Sequence, residues 1–529
     1  MLAVCNKQQQ QIVQLSEQVQ LQSEQLQVQS EQIAKQSEEI QHLKNEISIL
    51  KGGNGRPNIT PSNLSKNNLE INRNIKRGKP TDKKTYKLKI HKEEILQPDK
   101  IPDGSEFKGY KEYVVQDLEI NLNNTRYKRA RYKTPDGKNI IADLPEHVQG
   151  SHFGPKLMSY IINQYYQQHV TQNLILKQLW DFGVVMSEGQ LNHILTEQHD
   201  KFHTEKNDVL KAGLKASDYV GVDDTSARHK GQNGFCTRIG NELFTWFSST
   251  ESKSRINFLE ILSAPKTEYI IDNIARQYMA GNKLPKAQAA FFFKDCSLPN
   301  NATWQGYLTE LGINSMRHRR IATEAVLLVG ITKSGISSKL VILSDDAGQF
   351  AVSGLLHSLC WIHAERNINK IIPYSDENRK AQNAVLDQIW SFYQKLKTYK
   401  ITPSKKQKKI LCSEFDKIFT QKTCFHTLNL ALHQIYKNKK ELLLVLERPE
   451  IPLHNNLSEN DIRDYVKKRK ISATTRSDEG QAAKDTFLSL KKTCQKLKIS
   501  FWDYLLDRFR LTNNIPPLAK VILDAASEP

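Results

Sequence analysis

Two short apolar runs in this chain end in paired aspartates. One is Tyr219-Val-Gly-Val-Asp223-Asp224-Thr225, and the other is Lys339-Leu-Val-Ile-Leu-Ser-Asp345-Asp346. Continuous apolar strands suit the covered centre of a sheet, where functional groups collect at strand ends. Laid side by side, the two would bring one carboxylate from each together. A third acid, Glu459, falls in the first turn of a helix predicted to begin near Ser458, with Ser458 as N-cap and Asp461 as a weak capping-box partner. Taken alone, Glu459 reads as a surface residue pairing with Arg463 at i,i+4. Beside two aspartates it reads differently, because clustered carboxylates repel unless a divalent cation neutralises them. Mg²⁺ suits such a set, with Mn²⁺ as a substitute, since it takes oxygen ligands and keeps waters for a phosphate group. Two ions about 3.5–4 Å apart can activate an attacking oxygen and stabilise the leaving oxygen of an in-line displacement at phosphorus. Neighbouring residues on a strand face opposite ways, so the residues by themselves leave open Asp223 against Asp224 and Asp345 against Asp346.

Strands and a helix must position these acids. FCTRIG (235–240) and ELFTWFSS (242–249) read as a hairpin following the first aspartate strand, while Ile462 and Val466 give the Glu459 helix its apolar stripe. After the second aspartate pair, Cys360 and His363 sit i,i+3 on a predicted helix. A buried thiol with a hydrogen-bonded histidine is the plain reading; with no second Cys/His pair nearby, a zinc half-site is not expected. Arg463, Lys467, Lys468, Arg469, Lys470 and Arg476 follow Glu459. Such a run is ordinarily a solvated face, but beside an acidic site it is placed for nucleic-acid phosphates.

Before the core, residues 8–51 carry a heptad: Ile12, Val19, Leu26, Ile33, Ile40 and Ile47 recur every seventh position, with glutamines at three central d positions. An oligomerising coiled coil over 1–51 follows. A basic linker runs through 52–92; in its second part, 73–92, nine Lys or Arg accompany the single acid Asp82. Residues 93–146 read as a small β-rich segment, with TPDGK (134–138) as a hairpin turn. Helical periodicity takes over in 147–210, where 170–195 has the outline of helix, turn at Gly183, and a second helix capped by Ser187. The catalytic core starts at 215 and runs to 372, with an irregular insert at about 265–335. A helical insertion fills 373–450, with exposed lysines at 405–409, and 451–529 holds the Glu459 helix and the C-terminal helices.

The chain has 529 residues and a formal net charge of +19, which points to a polyanionic partner, nucleic acid before membrane. No apolar run approaches the roughly 18 residues of a membrane span, and no signal peptide is expected at the start. Seven scattered cysteines without a CxxC pair make neither a disulfide framework nor a zinc ribbon, as in a reduced, cytoplasmic setting.

VDDT (222–225), LSDDAGQF (343–350), CWIHAER (360–366) and HNNLSENDIRDYVKKRK (454–470), continuing through TTRSDEGQAA, resemble the DDE transposases of the insertion sequence 66 family. The resemblance implies a mixed α/β, RNase H-like core and a catalytic triad of Asp223, Asp345 and Glu459 holding the metal ions, with Cys360 and His363 in support. It also implies double-stranded DNA partners, namely element ends and target, a homo-oligomer, accessory proteins of the same element, and nucleoid association when DNA is bound. Family members often carry a cysteine-rich zinc segment before the core; residues 52–150 here contain no cysteine, so no structural zinc is expected. Two other readings compete with an active transposase: an inactive DNA-binding relic, and an RNase H-like nuclease without strand transfer.

Overall fold

The computed structural model describes residues 89–263 and 267–527; the expected coiled coil and the basic run up to residue 88 lie outside them. The centre is a five-stranded mixed sheet. Its strands are β1 (Tyr219–Ser226), β2 (Phe235–Gly240), β3 (Thr245–Thr250), β4 (Val341–Ser344) and β5 (Leu356–Leu359), in spatial order β3-β2-β1-β4-β5. The first three form an antiparallel meander, and β4 and β5 add in parallel beside β1. This mixed sheet flanked by helices is compatible with an RNase H-like core. Parallel neighbours need a long crossover, and residues 251–340 supply it.

That crossover is not irregular. A short ladder pairs Tyr269–Ile271 with Cys296–Leu298, and RHRRIATEA opens the helix Met316–Lys333, which buries Ile321, Ala322, Ala325, Val326, Leu327, Val329 and Ile331. Its apolar side is wide enough to disguise any single helical stripe, which is why the segment reads poorly from sequence. The expected small β-rich segment also differs: within 93–146 the ladder is confined to Arg131–Lys133 and Asn139–Ile141, joined through the predicted turn.

Three helices matter for the site. Helix α1 (Trp361–Asn369) follows β5, α2 (Asn456–Ser472) carries Glu459, and α3 (Asp478–Lys496) covers the β3 edge. An edge strand presents unpaired N–H groups. Here α3 answers them with side chains: Thr493 Oγ1 accepts from Thr245 N (3.1 Å), Ser489 Oγ from Phe247 N (2.8 Å) and Asp485 Oδ2 from Ser249 N (2.6 Å). Four helical residues rise about 6 Å and two strand residues about 6.8 Å, so an i,i+4,i+8 row on the helix keeps pace with alternate residues on the strand. Between β5 and α2 the helices Asp376–Ile401, Lys405–Thr420 and His426–Lys437 form the insertion, seated on Trp361 through Phe392 and Phe415.

Candidate active site

The parallel register pairs Tyr219 with Val341, Val220 with Ile342 and Gly221 with Leu343. Carried two residues further along both strands, it sets Asp223 level with Asp345. Adjacent strands lie about 4.8 Å apart, so the two carboxylates are neighbours at the same end of the sheet. The second member of each pair is engaged elsewhere. Asp224 accepts from Thr237 Oγ1 (2.5 Å) and Gln349 Nε2 (2.9 Å), and Asp346 accepts from Asn438 Nδ2 (3.0 Å).

Glu459 reaches the same end because α2 is clamped onto β1. Asn455 Nδ2 donates to the Val222 carbonyl (2.7 Å), and the Asn455 N–H donates to Cys360 Sγ (3.3 Å). Gly221 permits the close approach: a Cβ there would lie 2.6 Å from both Asn455 Oδ1 and Ser458 Oγ. The helix begins at Asn456, with Asn455 as N-cap, and not at Ser458. Ser458 is instead buried in the first turn, where it accepts from Arg238 Nη1 (2.7 Å). Asp461 forms no capping box either. It accepts from Arg238 Nη2 (2.6 Å), Thr245 Oγ1 (2.7 Å) and Lys496 Nζ (2.9 Å). Burial alone would raise its carboxyl, but Arg238 and Lys496 outweigh that and hold it below the ordinary value.

The acidic end has the opposite balance. Burial, with the carboxylates of Asp345 and Glu459 adding to it, pushes the Asp223 carboxyl up to about 7 against the bond it accepts from the Asp224 N–H (2.8 Å). Glu459 is turned to cations: Arg366 Nη1 donates to Oε1 (3.1 Å) and Arg463 Nη2 to Oε2 (3.3 Å). His363 Nε2 stands 3.9 Å from Glu459 Oε1, while its Nδ1 is buried without a hydrogen-bond partner among the described residues. Cys360 is the N-cap of α1, and burial pushes its thiol up to about 11, which leaves it protonated and unreactive at neutral pH.

Among the described residues, no three His, Cys, Asp or Glu side chains are gathered into a group that could hold one metal ion. The donor chemistry nonetheless fits a hard divalent cation. The three acids offer oxygen only, and burial together with the neighbouring carboxylates raises the Asp223 carboxyl.

The basic run after Glu459 divides. Arg463, Lys467, Lys470 and Arg476 are exposed. Arg469 Nη1 is tied to Ser226, donating to its Oγ (2.7 Å). Lys468 corrects the sequence expectation, for it is 1% exposed, donates to the Tyr165 carbonyl (2.6 Å) and stacks on the Tyr165 ring. Burial, with Lys484 and Lys491 adding to it, lowers its ammonium to about 6, so it offers DNA no charge. Sequence reasoning passed over Gly221, Arg238, Asn455 and Arg366. The one usable signal was Arg238, a lone charge inside an otherwise uncharged strand.

A family model described as Transposase IS66 family matches residues 336–483, a span that takes in Asp345, Cys360, His363, Arg366 and Glu459. The chain belongs to the IS66 transposase family. It is also similar to the "Uncharacterized protein y4jO" of Sinorhizobium fredii (strain NBRC 101917 / NGR234), 40% identical over 319 residues, covering 59% of this chain and 99% of that protein. Membership carries with it a transposase role and the DNA binding that role requires. No helix among the described residues is long and apolar enough to cross a membrane.

Proposed function

We propose that this chain is a DDE-type transposase that cuts DNA at the ends of an insertion sequence and joins the freed 3′ ends to target DNA. The observation that carries this reading is the parallel pairing of Tyr219–Gly221 with Val341–Leu343, two strands that run on to Asp223 and Asp345, with the Asp223 carboxyl raised by burial and by the charges of Asp345 and Glu459. Asp223, Asp345 and Glu459 would hold Mg²⁺, or Mn²⁺ in its place; when bound, such a cation supplies charge neutralisation and a hard Lewis acid at the phosphate. The chain's own groups do the rest. The Asn455 clamp and the Arg238 lock fix the helix that carries Glu459. Arg366 holds the Glu459 carboxylate at the site and balances its charge. Exposed Arg463, Lys467, Lys470 and Arg476 hold the phosphate backbone in place. Water attacks phosphorus in line and breaks the P–O3′ bond, so that the element strand leaves with a free 3′-hydroxyl. That hydroxyl then attacks a target phosphodiester in line and displaces the target's own 3′-oxygen, with the nucleophile's proton passing to solvent in each step. The buried, protonated Cys360 takes no covalent part.

The helices Gln172–Asp181 and Glu188–Thr196 fit a DNA-reading role. They meet at a turn where Gly183 adopts φ +80°, and Ser187 and Gln190 cap the second helix reciprocally. The heptads of the N-terminal region would pair copies of the chain so that two element ends are held together. The test is Glu459→Gln in the full chain. Mg²⁺-dependent nicking of end-sequence duplexes should fall by about 10³-fold, with duplex affinity within about twofold of the parent. Retained nicking would remove Glu459 from the site, and nicking without joined product would reduce the protein to a nuclease.

A further inference from the structure

The hairpin at Arg131–Lys133 and Asn139–Ile141 takes no part in the core or the acidic site, yet it is closely built. Thr134 N donates to the Lys138 carbonyl (2.8 Å), Gly137 N to the Thr134 carbonyl (2.9 Å), and Ala142 N to the Ala130 carbonyl (3.0 Å). Gly137 takes φ +84°, the left-handed conformation that this turn needs and glycine supplies without strain. The Arg129 Nε donates to the Ala142 carbonyl and closes the base. An isolated two-stranded ribbon is only marginally stable in water, and every residue of both strands is exposed, with Tyr132 at 68% and Ile140 at 57%. A ribbon with neither face covered is organised for something outside itself.

Its charge says what. Between residues 126 and 138 six Lys or Arg stand against the single acid Asp136, which is itself paired with Lys138. Alternation sets Arg131 and Lys133 on one face of the ribbon, with Arg129 two residues before them at its base, while the cross-strand pair Tyr132–Ile140 lies on the other face. Each two-residue step is about 6.8 Å, so the three cations span a distance comparable with the width of the DNA major groove, about 12 Å, which admits a two-stranded ribbon. The chain leading into the ribbon passes the turn between the two helices above: Leu122 Cδ2 lies 3.9 Å from where a Cβ on Gly183 would sit.

We propose that this ribbon is a second duplex-DNA contact, separate from the acidic site, with Arg129, Arg131 and Lys133 on the phosphate backbone. The proposal rests on the transposase reading for its choice of partner, and its test does not depend on cleavage. The full chain is titrated without divalent cation against a labelled random-sequence duplex of about 30 base pairs, over a series of salt concentrations. Replacing Arg129, Arg131 and Lys133 together with Gln should weaken binding by at least about 10-fold near 0.15 M salt, and lower the slope of log K against log salt by about 2–3. The double variant Arg129→Lys, Arg131→Lys should keep both within about twofold, because it preserves charge while changing shape.

Unchanged affinity and slope in the Gln variant would overturn the proposal. So would a Gln variant whose mass in solution falls to that of a smaller oligomer while affinity per protomer holds, since that assigns the ribbon to a contact between copies. If Glu459→Gln still nicks DNA while the Gln triple loses its salt slope, the catalytic reading fails and the ribbon stands.

Discussion

Two carboxylates beside the meander, the buried Asp461 and the half-buried Asp223, are treated in opposite ways. Asp461 meets Arg238, Lys496 and Thr245, and its charge is answered on every side. Asp223 meets Asp345 and Glu459, which add to burial in pushing its carboxyl up. Glu459 and Asp461 are two residues apart on one helix, so α2 faces a closed ionic lock with one flank and an open acidic end with the other. A rigid, satisfied network is what allows an unsatisfied one to persist beside it, because the energy of holding like charges together must come from elsewhere in the fold.

The sharpest way to break this contrast is to remove the lock. Arg238 is 0% exposed and also donates to the carbonyls of Gly221 (2.8 Å) and Gly240 (2.9 Å). Arg238→Ala leaves Asp461 short of its main partner and should destabilise the chain by about 3–5 kcal/mol, read by urea denaturation followed by tryptophan fluorescence. A loss below about 1 kcal/mol would mean that Lys496 alone suffices and that the lock is not what holds α2.

The second prediction uses pH to separate the two acids. The native Asp223 carboxyl binds its proton more tightly than the unfolded chain does, so its contribution to stability is present below about pH 4 and is lost as pH rises through about 7. Asp461 is depressed, so its contribution is present above about pH 4 and is lost as pH falls. Asp223→Asn should therefore stabilise the metal-free chain at pH 8, by up to about 4 kcal/mol, with the gain shrinking to nothing near pH 4. Asp461→Asn should destabilise it at pH 8. Mg²⁺ should raise the melting temperature of the parent at pH 8 and leave Asp223→Asn unmoved. An Asp223→Asn variant no more stable than the parent at pH 8 would show that the acidic end carries no strain.

What the sequence discloses follows from this contrast. The candidate acidic end comes from apolar strands that stop at aspartates, and the parallel pairing of 219–221 with 341–343 points both strands toward the same end of the sheet. The lock was not legible. The buried face of α2 is Ser458, Asp461, Ile462, Tyr465 and Lys468, mostly polar, so an apolar-stripe search follows Ile462 and Val466 and misses it. Ser458 and Asp461 looked like capping residues for the same reason: their types suit a helix start, and only the partner Arg238, more than 200 residues away in the chain, reveals their use. Arg366 was hidden because nothing local distinguishes an arginine facing a distant glutamate from one facing water.

A smaller effect is expected where the lock and the acidic end meet. In Gly221→Ala the new Cβ would strike Asn455 Oδ1 and Ser458 Oγ, each 2.6 Å away, and both atoms belong to the clamp that seats α2. Overpacking of this kind costs about 1–3 kcal/mol. Nicking should suffer more than folding does, because the shift falls on the turn that carries Glu459. Equal stability and full nicking in this variant would show that α2 tolerates displacement and that its close seat is incidental.

The smallest effect concerns adjacent lysines of opposite fate. Lys467 is exposed, whereas Lys468 is buried against Tyr165, with its ammonium lowered to about 6. Lys468→Met keeps the volume and removes a desolvated amine, but leaves the Tyr165 carbonyl without its donor. These oppose each other, so stability should move by no more than about 1 kcal/mol, and duplex affinity should stay within about twofold. Lys467→Ala should weaken binding to all sequences alike and lower the salt slope by about 1. If instead Lys468→Met produced the slope change, α2 would have to present its buried flank to DNA, and the division of that helix between lock and acidic end would be lost.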